Sequence, residues 1–420
     1  MTKEERLKKR HRAEKRFRFY GLSSIIVALL FVIILVNNIF SKGSSAFMKT
    51  VINVEVFFDP ELIEIKNGAT EDEILSADFF DITIETLLKS YPTKNIDEED
   101  GLIDLFTTDA EIEIKKAFLD NNNLIGKKIN LEITASDDID QLHKGNYPRD
   151  LPEDRRRISN FQLEIYDNFV ESNKIDKNFN NYFFNNGDSR DPELAGIGGA
   201  LVGSFYSILI CLLLAFPVAV LASIYLEEFA PKNKITDFIE ININNLAAVP
   251  SIVYGLLALQ ILLATIQLPR STPLVAGITL ALMTLPRIII PCRASLKAVP
   301  PSIREGALAV GASKFQSVFH HVVPLALPGT LSGTIIGLAQ ALGETAPLIL
   351  IGMVAFVNTI PGSPMDPAAS LPVQIYIWAE SAERGFVEKV SACIMVLLIF
   401  LVLMNLAAQM IRHKFEKKWN

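Results

Sequence analysis

The chain has no Gly-x-x-x-x-Gly-Lys-Ser/Thr run, the loop whose backbone amides cradle nucleotide phosphates, so any nucleotide-driven motor would belong to a partner. Cysteine is scarce. Cys211, Cys292 and Cys393 each fall in an apolar run with no thiol nearby in sequence, where the side chain acts as a small hydrophobe, and neither a disulfide nor a thiolate metal site is expected. The five histidines (His11, His143, His320, His321 and His413) lack the paired spacing on a helix face that zinc requires. No Ser, His and Asp arrangement and no Gly-rich nucleotide turn offers catalysis, so neither an enzyme nor a bound cofactor is expected. With no internal repeat and no low-complexity tract, a two-fold arrangement would have to come from a second subunit.

What the sequence does have is apolar length. Half of the 420 residues are hydrophobic and 21% are charged, and the two kinds are segregated. About 20 apolar helical residues cross a bilayer core, and runs of that kind recur from residue 197 to residue 411. The chain opens with Lys3, Arg6, Lys8, Lys9, Arg10, Arg12, Lys15, Arg16 and Arg18, then runs apolar from Tyr20 to Phe40. A basic flank before an apolar span predicts residues 1–41 as a cytoplasmic tail and first transmembrane helix. Ser44-Ser45-Ala46 offers small residues for a cleaved signal peptide, but the long basic region and long span favour an anchor.

Residues 42–190 carry 31 acidic against 17 basic side chains and no run long enough to span. They read as a small α+β extracytoplasmic domain: Val51 to Asp59 and Lys128 to Ala135 alternate like strands, and Asp109 to Leu119 is spaced like a helix. Asp191-Pro192-Glu193 then predicts an N-cap with proline at the first helical position. Five more spans are expected: Gly196 to Tyr225, Ile241 to Ile266, Pro273 to Pro291, Leu325 to Phe356, and a last one from about Arg384 to Ile411. Leu226 to Lys232 forms the turn after the first of these, and a long amphipathic break runs from Arg293 to Val323. The chain thus reads as an all-α polytopic membrane protein of six transmembrane helices, with a transmembrane domain over 191–412 and a cytoplasmic tail over 413–420. Arg287, Arg293, Lys297, Arg304 and Lys314 flank one break, and Arg412, Lys414, Lys417 and Lys418 end the chain, all on the predicted inside face.

The segment from Pro300 to Pro324 is the most informative. Pro300-Pro301 pre-sets a first turn, Glu305 lies near the positive helix end, and Gly311 permits a sharp exit. Periodicity alone leaves an ordinary amphipathic loop equally open. Glu305-Gly306-Ala307, with Gly311 six residues after the glutamate and then Pro324, resembles the EAA-type cytoplasmic loop of ABC importer permease subunits, with Gly306 in place of the usual first alanine. The resemblance narrows to the phosphate transport permeases of the PstA type through Gly343-Glu344-Thr345-Ala346-Pro347-Leu348, Ala248-Val249-Pro250-Ser251-Ile252-Val253-Tyr254-Gly255 and Asp191-Pro192-Glu193-Leu194-Ala195-Gly196. It covers roughly residues 190 to 410, and the N-terminal part looks like an extension carried by one bacterial branch.

What the resemblance implies is specific. The core would be a MetI-like ABC permease in the bacterial inner membrane with both termini cytoplasmic. Glu305, Gly306, Ala307 and Gly311, in a coupling loop over 300–324, would dock into an ATPase subunit. The partners would be a second related permease in a heterodimer, two ATP-binding subunits inside and a periplasmic phosphate-binding protein outside. The substrate would be inorganic phosphate, with sulfate, molybdate or phosphonate as alternatives. From another class, a membrane-anchored ligand sensor stays open, and a long cytoplasmic output domain would mark it.

Three membrane residues are candidates for the substrate pathway. Glu344 lies inside an expected span, where an ionisable group costs about 2.5–3.5 kcal/mol and so faces protein or water. It reads as a gate or pathway residue, or as a carboxyl holding two helices together. Arg287, between Pro286 and Pro291, is the first cationic partner to test, with snorkelling to the inner surface as the alternative. Gln340, four residues before Glu344, is expected on the same helix face, able to donate to an oxyanion or to hydrogen-bond in the core. The glycines around residue 200 and at 329, 333 and 337 are expected to serve helix packing.

Overall fold

The computed structural model describes residues 3–63, 73, 74, 77, 79–91, 93–121 and 124–415. Lys417 and Lys418, predicted for the inside face, lie outside them. The chain opens with α1 (Lys3–Gly43), a single helix of 41 residues. At about 1.5 Å per residue it is roughly twice as long as a bilayer core of about 30 Å, so its basic N-terminal turns extend past the apolar section. Leu22 to Leu35 are exposed apart from half-buried Ser23, whereas the last turn packs on the chain's final helix, where a Cβ on Gly43 would lie 2.7 Å from Ala392 N.

A three-stranded antiparallel sheet follows in the order β2-β1-β3, built from β1 (Met48–Phe57), β2 (Lys128–Thr134) and β3 (Ile175–Phe179). Val54 pairs with Leu131 and Val51 with Asp176, which sets the register. The expected strands at 51–59 and 128–135 agree with β1 and β2. Ile52, Val54 and Val56 alternate onto the buried face, where α2 (Phe80–Ser90), α3 (Ile96–Ile103), α4 (Ala110–Asp120), α5 (Asp137–His143) and α6 (Asn160–Glu171) complete the layer. Phe58, Phe79 and Phe118 meet at centroid distances of 5.5 and 5.6 Å in its centre.

The expected N-cap at Asp191 is corrected by the structure. Leu194 and Ala195 donate to the Asp191 carbonyl in a turn, and the next helix, α7 (Gly198–Ile224), starts seven residues later. The stretch between them packs tightly on residues 182–186: the Gly196 amide donates to the Gly187 carbonyl at 2.8 Å and the Ile197 amide to Phe183 at 2.7 Å.

Beyond α7 the helices are α8 (Lys234–Ala247), α9 (Ser251–Ala258), α10 (Pro273–Ala298), α11 (Pro301–Ala309), α12 (Val323–Leu342), α13 (Leu371–Ala379) and α14 (Gly385–Phe415). Among the described residues, five helices are long and apolar enough to cross a membrane, and the pair α8 and α9 with its π-helical extension to Thr265 would make a sixth. That pair is bent by 100° at Ala248-Val249-Pro250, because proline removes a helical donor and clashes with the preceding turn. The span expected over Leu325 to Phe356 is likewise broken: α12 ends at Leu342, and a short helix resumes at Ala346–Leu350. Pro291, expected to end the fourth span, lies inside α10. The bundle core joins α7, α10 and α12 through Ala215, Ala219, Leu280, Met283, Ile288 and Leu338. A Cβ on Gly333 would overlap Pro291, and one on Gly337 would lie 3.0 Å from Thr284 Cγ2, so these glycines are packing positions.

Candidate functional site

Two places bring the predicted residues into definite geometry. The first is the loop between α10 and α12. Pro300 caps and Pro301 opens α11, whose backbone amides at that end need no intrahelical partner. The helix stops in a Schellman arrangement: Ala312 N donates to Ala307 O at 3.1 Å and Gly311 N to Leu308 O at 3.0 Å. Gly311 takes φ +91°, a conformation that only glycine adopts without strain. Ser313 and Gln316 then form a capping box that starts the turn Lys314–Ser317 leading into α12.

What holds α11 down is Arg304. Its guanidinium donates to Glu228 (Nη2 to Oε1 2.6 Å, Nε to Oε1 3.1 Å) and to the carbonyls of Val299 and Leu296 at 2.7 and 2.9 Å. Next to it, Glu227 takes Arg293 Nε at 2.5 Å, and the same arginine reaches Glu240 of α8 at 2.5 Å. The end of α7, the middle of α8, the end of α10 and α11 are thus tied by one network of alternating charge. In the sequence Glu227 and Glu228 stand only within a turn, and Arg293 and Arg304 among the positive charges of the predicted inside face. Two adjacent carboxylates facing arginines eleven residues apart were the available signal.

The candidate loop residues divide by exposure. Glu305 is exposed, and its side chain makes no hydrogen bond or ion pair among the described residues. Gly306 is exposed with open space where a Cβ would stand, whereas Ala307 is buried against the neighbouring turn. Leu308, Val310 and Phe315 are exposed at 48%, 85% and 59%, and they form an apolar surface beside Glu305 and Gly311.

The second place is where the two breaks meet. A Cβ on Gly255 of α9 would lie 2.8 Å from Pro347 Cα, so the two resumed half-helices touch close to their breaks. Tyr254 Oη donates across the first break to Leu246 O at 2.8 Å. Arg287 of α10 comes to this junction, with Nη1 3.8 Å from Glu344 Oε1 and the two side chains 21% and 17% exposed. That spacing is an ion pair but not a hydrogen bond, and Arg287 Nη1 is buried with no hydrogen-bond acceptor. Glu344 stands in the non-helical break, so it does not share a helix face with Gln340, as the spacing had suggested; Gln340 is in the last turn of α12 and is exposed.

A multi-pass helical bundle with paired helix breaks and a salt-bridged amphipathic loop between spans defines a membrane transport component. Residues 195–418 match the family described as binding-protein-dependent transport system inner membrane component, and the chain belongs to it. Residues 4–153 match a separate domain of unknown function. The chain is 32% identical over 222 residues to phosphate transport system permease protein PstA 1 of Mycobacterium tuberculosis, covering 52% of this chain and 70% of the relative. With the PstA protein of Yersinia pestis it shares 30% over 224 residues, 53% of this chain and 73% of that one. Among solved structures, an inward-facing MetNI methionine ABC transporter chain aligns at 19% identity with a TM-score of 0.41, over 53% of this chain and 95% of that one. The protein is therefore a permease subunit of an ABC importer, a transport component and not an enzyme.

Proposed function

We propose that this chain forms half of the transmembrane pathway through which an ATP-driven importer takes up inorganic phosphate, beside a second related permease. Residues 1–41 would be the cytoplasmic tail and first span, 42–190 an extracytoplasmic domain, 191–412 the six-span permease domain of MetI-like type, and 413–420 a cytoplasmic tail. Two ATP-binding subunits would sit on the cytoplasmic side and a periplasmic phosphate-binding protein on the other. The observation that carries the reading is α11, pinned to the ends of α7 and α10 through Arg304 while Glu305, Leu308 and Val310 face outward. A partner pushing on that surface would move three helices together rather than a loose loop. The names of the relatives in Mycobacterium tuberculosis and Yersinia pestis support phosphate over other oxyanions.

Arg287 and Glu344 would act as a gate. A lone carboxylate in the path would repel an anion, and Arg287 offsets that charge while keeping an N–H without an acceptor. Gln340, exposed one turn before the break, could donate to the anion without adding charge. The test is ATP-dependent uptake of radiolabelled phosphate by proteoliposomes holding the whole complex, with sulfate as competitor. Uptake indifferent to sulfate in the wild type, and lost in a folded Glu305→Lys variant, is expected. An intact complex that takes up no phosphate would overturn the substrate, and full uptake by Glu305→Lys would overturn the coupling role.

A further inference from the structure

The turn that leads into α10 holds two residues in a backbone conformation they do not prefer. Ser271 takes φ +59° and Gln267 takes φ +63°. A residue with a Cβ enters this left-handed region only where its surroundings over-determine it, and such residues concentrate at clamps and switches. Gln267 is exposed, whereas Ser271 is 8% exposed and has a partner for each of its polar groups. Its hydroxyl donates to the Gly352 carbonyl at 2.6 Å and its amide to the Ile351 carbonyl at 3.4 Å, and its own carbonyl accepts from the Ala368 amide at 2.8 Å.

Those acceptors give the strain a purpose. The short helix Ala346–Leu350, which resumes after the break, closes in a Schellman arrangement: Met353 N donates to Leu348 O and Gly352 N to Ile349 O, both at 3.1 Å, with Gly352 at φ +95°. The next carbonyls in need of donors are those of Ile351 and Gly352, and Ser271 supplies both. The fit is close, since a Cβ on Gly352 would lie 3.2 Å from Ser271 Oγ. Beside it, the Leu274 amide in the first turn of α10 donates to the Pro364 carbonyl at 3.0 Å, so the start of α10 is stitched to the chain beyond the half-helix at more than one point. A five-residue helix is about 7 Å long. The joint at Ser271 and the break that holds Glu344 are therefore the two ends of one short rod.

We propose that Ser271 is a positioning residue for transport, a strained clasp that holds the half-helix at 346–350, and with it Glu344, in its resting place and lets go when the break moves. The inference deepens the reading of Arg287 and Glu344 as a gate and rests on it. The left-handed serine is kept only while its three hydrogen bonds offset the strain, so the joint is either made or released, with little between. The hydroxyl bond to Gly352 is the one the side chain alone supplies. Removing it should move the resting break toward its released position without disturbing the packing of α10 on α7 and α12.

The whole transporter complex in lipid nanodiscs, carrying Thr345→Cys as reporter, tests this through the rate at which a small charged methanethiosulfonate modifies the thiol. Thr345 is half-buried in the break, and the three native cysteines are buried. With Ser271 in place the rate should be low at rest and rise when a non-hydrolysable ATP analogue binds. In Ser271→Ala the resting rate should rise about tenfold, the factor one lost buried hydrogen bond carries, and the analogue should add correspondingly less. Gln267→Gly relaxes the other left-handed residue of the turn without touching the clasp and should leave both rates unchanged. An unchanged resting rate in Ser271→Ala, an equal rise in Gln267→Gly, or no response to the analogue in the otherwise native complex overturns the clasp. A merely structural role would raise the resting and analogue-bound rates by the same factor, and that result also overturns it. If Ser271→Ala does not assemble, Ser271→Gly decides, because glycine adopts φ +59° without strain. The same rise is expected there, and its absence overturns the proposal. Failure of the gate reading shows separately, as full phosphate uptake by Arg287→Met.

Discussion

Replacing Arg304 by methionine separates the anchoring of α11 from its outward surface. Methionine keeps the length and apolar stem of arginine but removes its donors to Glu228, Val299 and Leu296. The Glu228 side chain is 8% exposed, so it would be left as a buried charge without its cation. Breaking a buried pair by removing one partner costs about 3–5 kcal/mol, and the quarter exposure of Arg304 places this pair at about 3. The two freed carbonyls belong to buried residues, Leu296 and Val299, so about 3 kcal/mol is a lower bound. About 3 kcal/mol corresponds to roughly a hundredfold shift toward a detached α11, with the rest of the bundle still folded. Hydrogen exchange over residues 300–317 should rise by that factor, and ATP-driven uptake should fall while ATP hydrolysis continues. Arg304→Lys, which restores the charge but not the fork, should fall between the two. Unchanged exchange and unchanged uptake in Arg304→Met would refute the view that this side chain makes α11 a rigid coupling element.

Other substitutions give separate readouts. Gly306→Ala meets no atom within 4 Å and should stabilise α11 by about 0.5–1 kcal/mol without loss of uptake, checked by thermal melting of the complex. Gly311→Val forces a β-branched residue to φ +91°, costing about 1–3 kcal/mol at the turn, and should uncouple ATP hydrolysis from uptake in proteoliposomes. Arg287→Met should abolish phosphate uptake with ATP hydrolysis retained, and adding Glu344→Gln should make it no worse, since the two act as a pair. Wild-type uptake by Arg287→Met would remove that residue from the pathway.

Much of this molecule was legible in the sequence because hydrophobic length and period are local properties. The alternation in Val51-Ile52-Asn53-Val54-Glu55-Val56 marks a half-buried strand wherever it lies, and the long apolar runs at 198–224 and 385–411 can only be helices in a bilayer. Gly311 and the two prolines before α11 marked a short helix with a forced exit for equally local reasons. The helix starts at 191 and 325–356 were misread, because a polar residue before proline suits a turn as well as a cap, and an apolar run does not record where the backbone ceases to be helical. Asp191 closes a turn, and Gly343-Glu344-Thr345 breaks the run.

By itself the sequence determined the class of the protein: several membrane spans, a charged region between the first two, and a looped helix between α10 and α12. Tertiary structure alone decided which charges meet. Arg304 finds Glu228 across 76 positions, Lys144 finds Glu388 across 244, and Arg287 approaches Glu344 from another helix. It also buried Glu193 with no ion-pair partner among the described residues. Composition and period are set within a few residues along the chain, whereas the energy of a charge depends on what surrounds it in three dimensions, and that is written only in the fold.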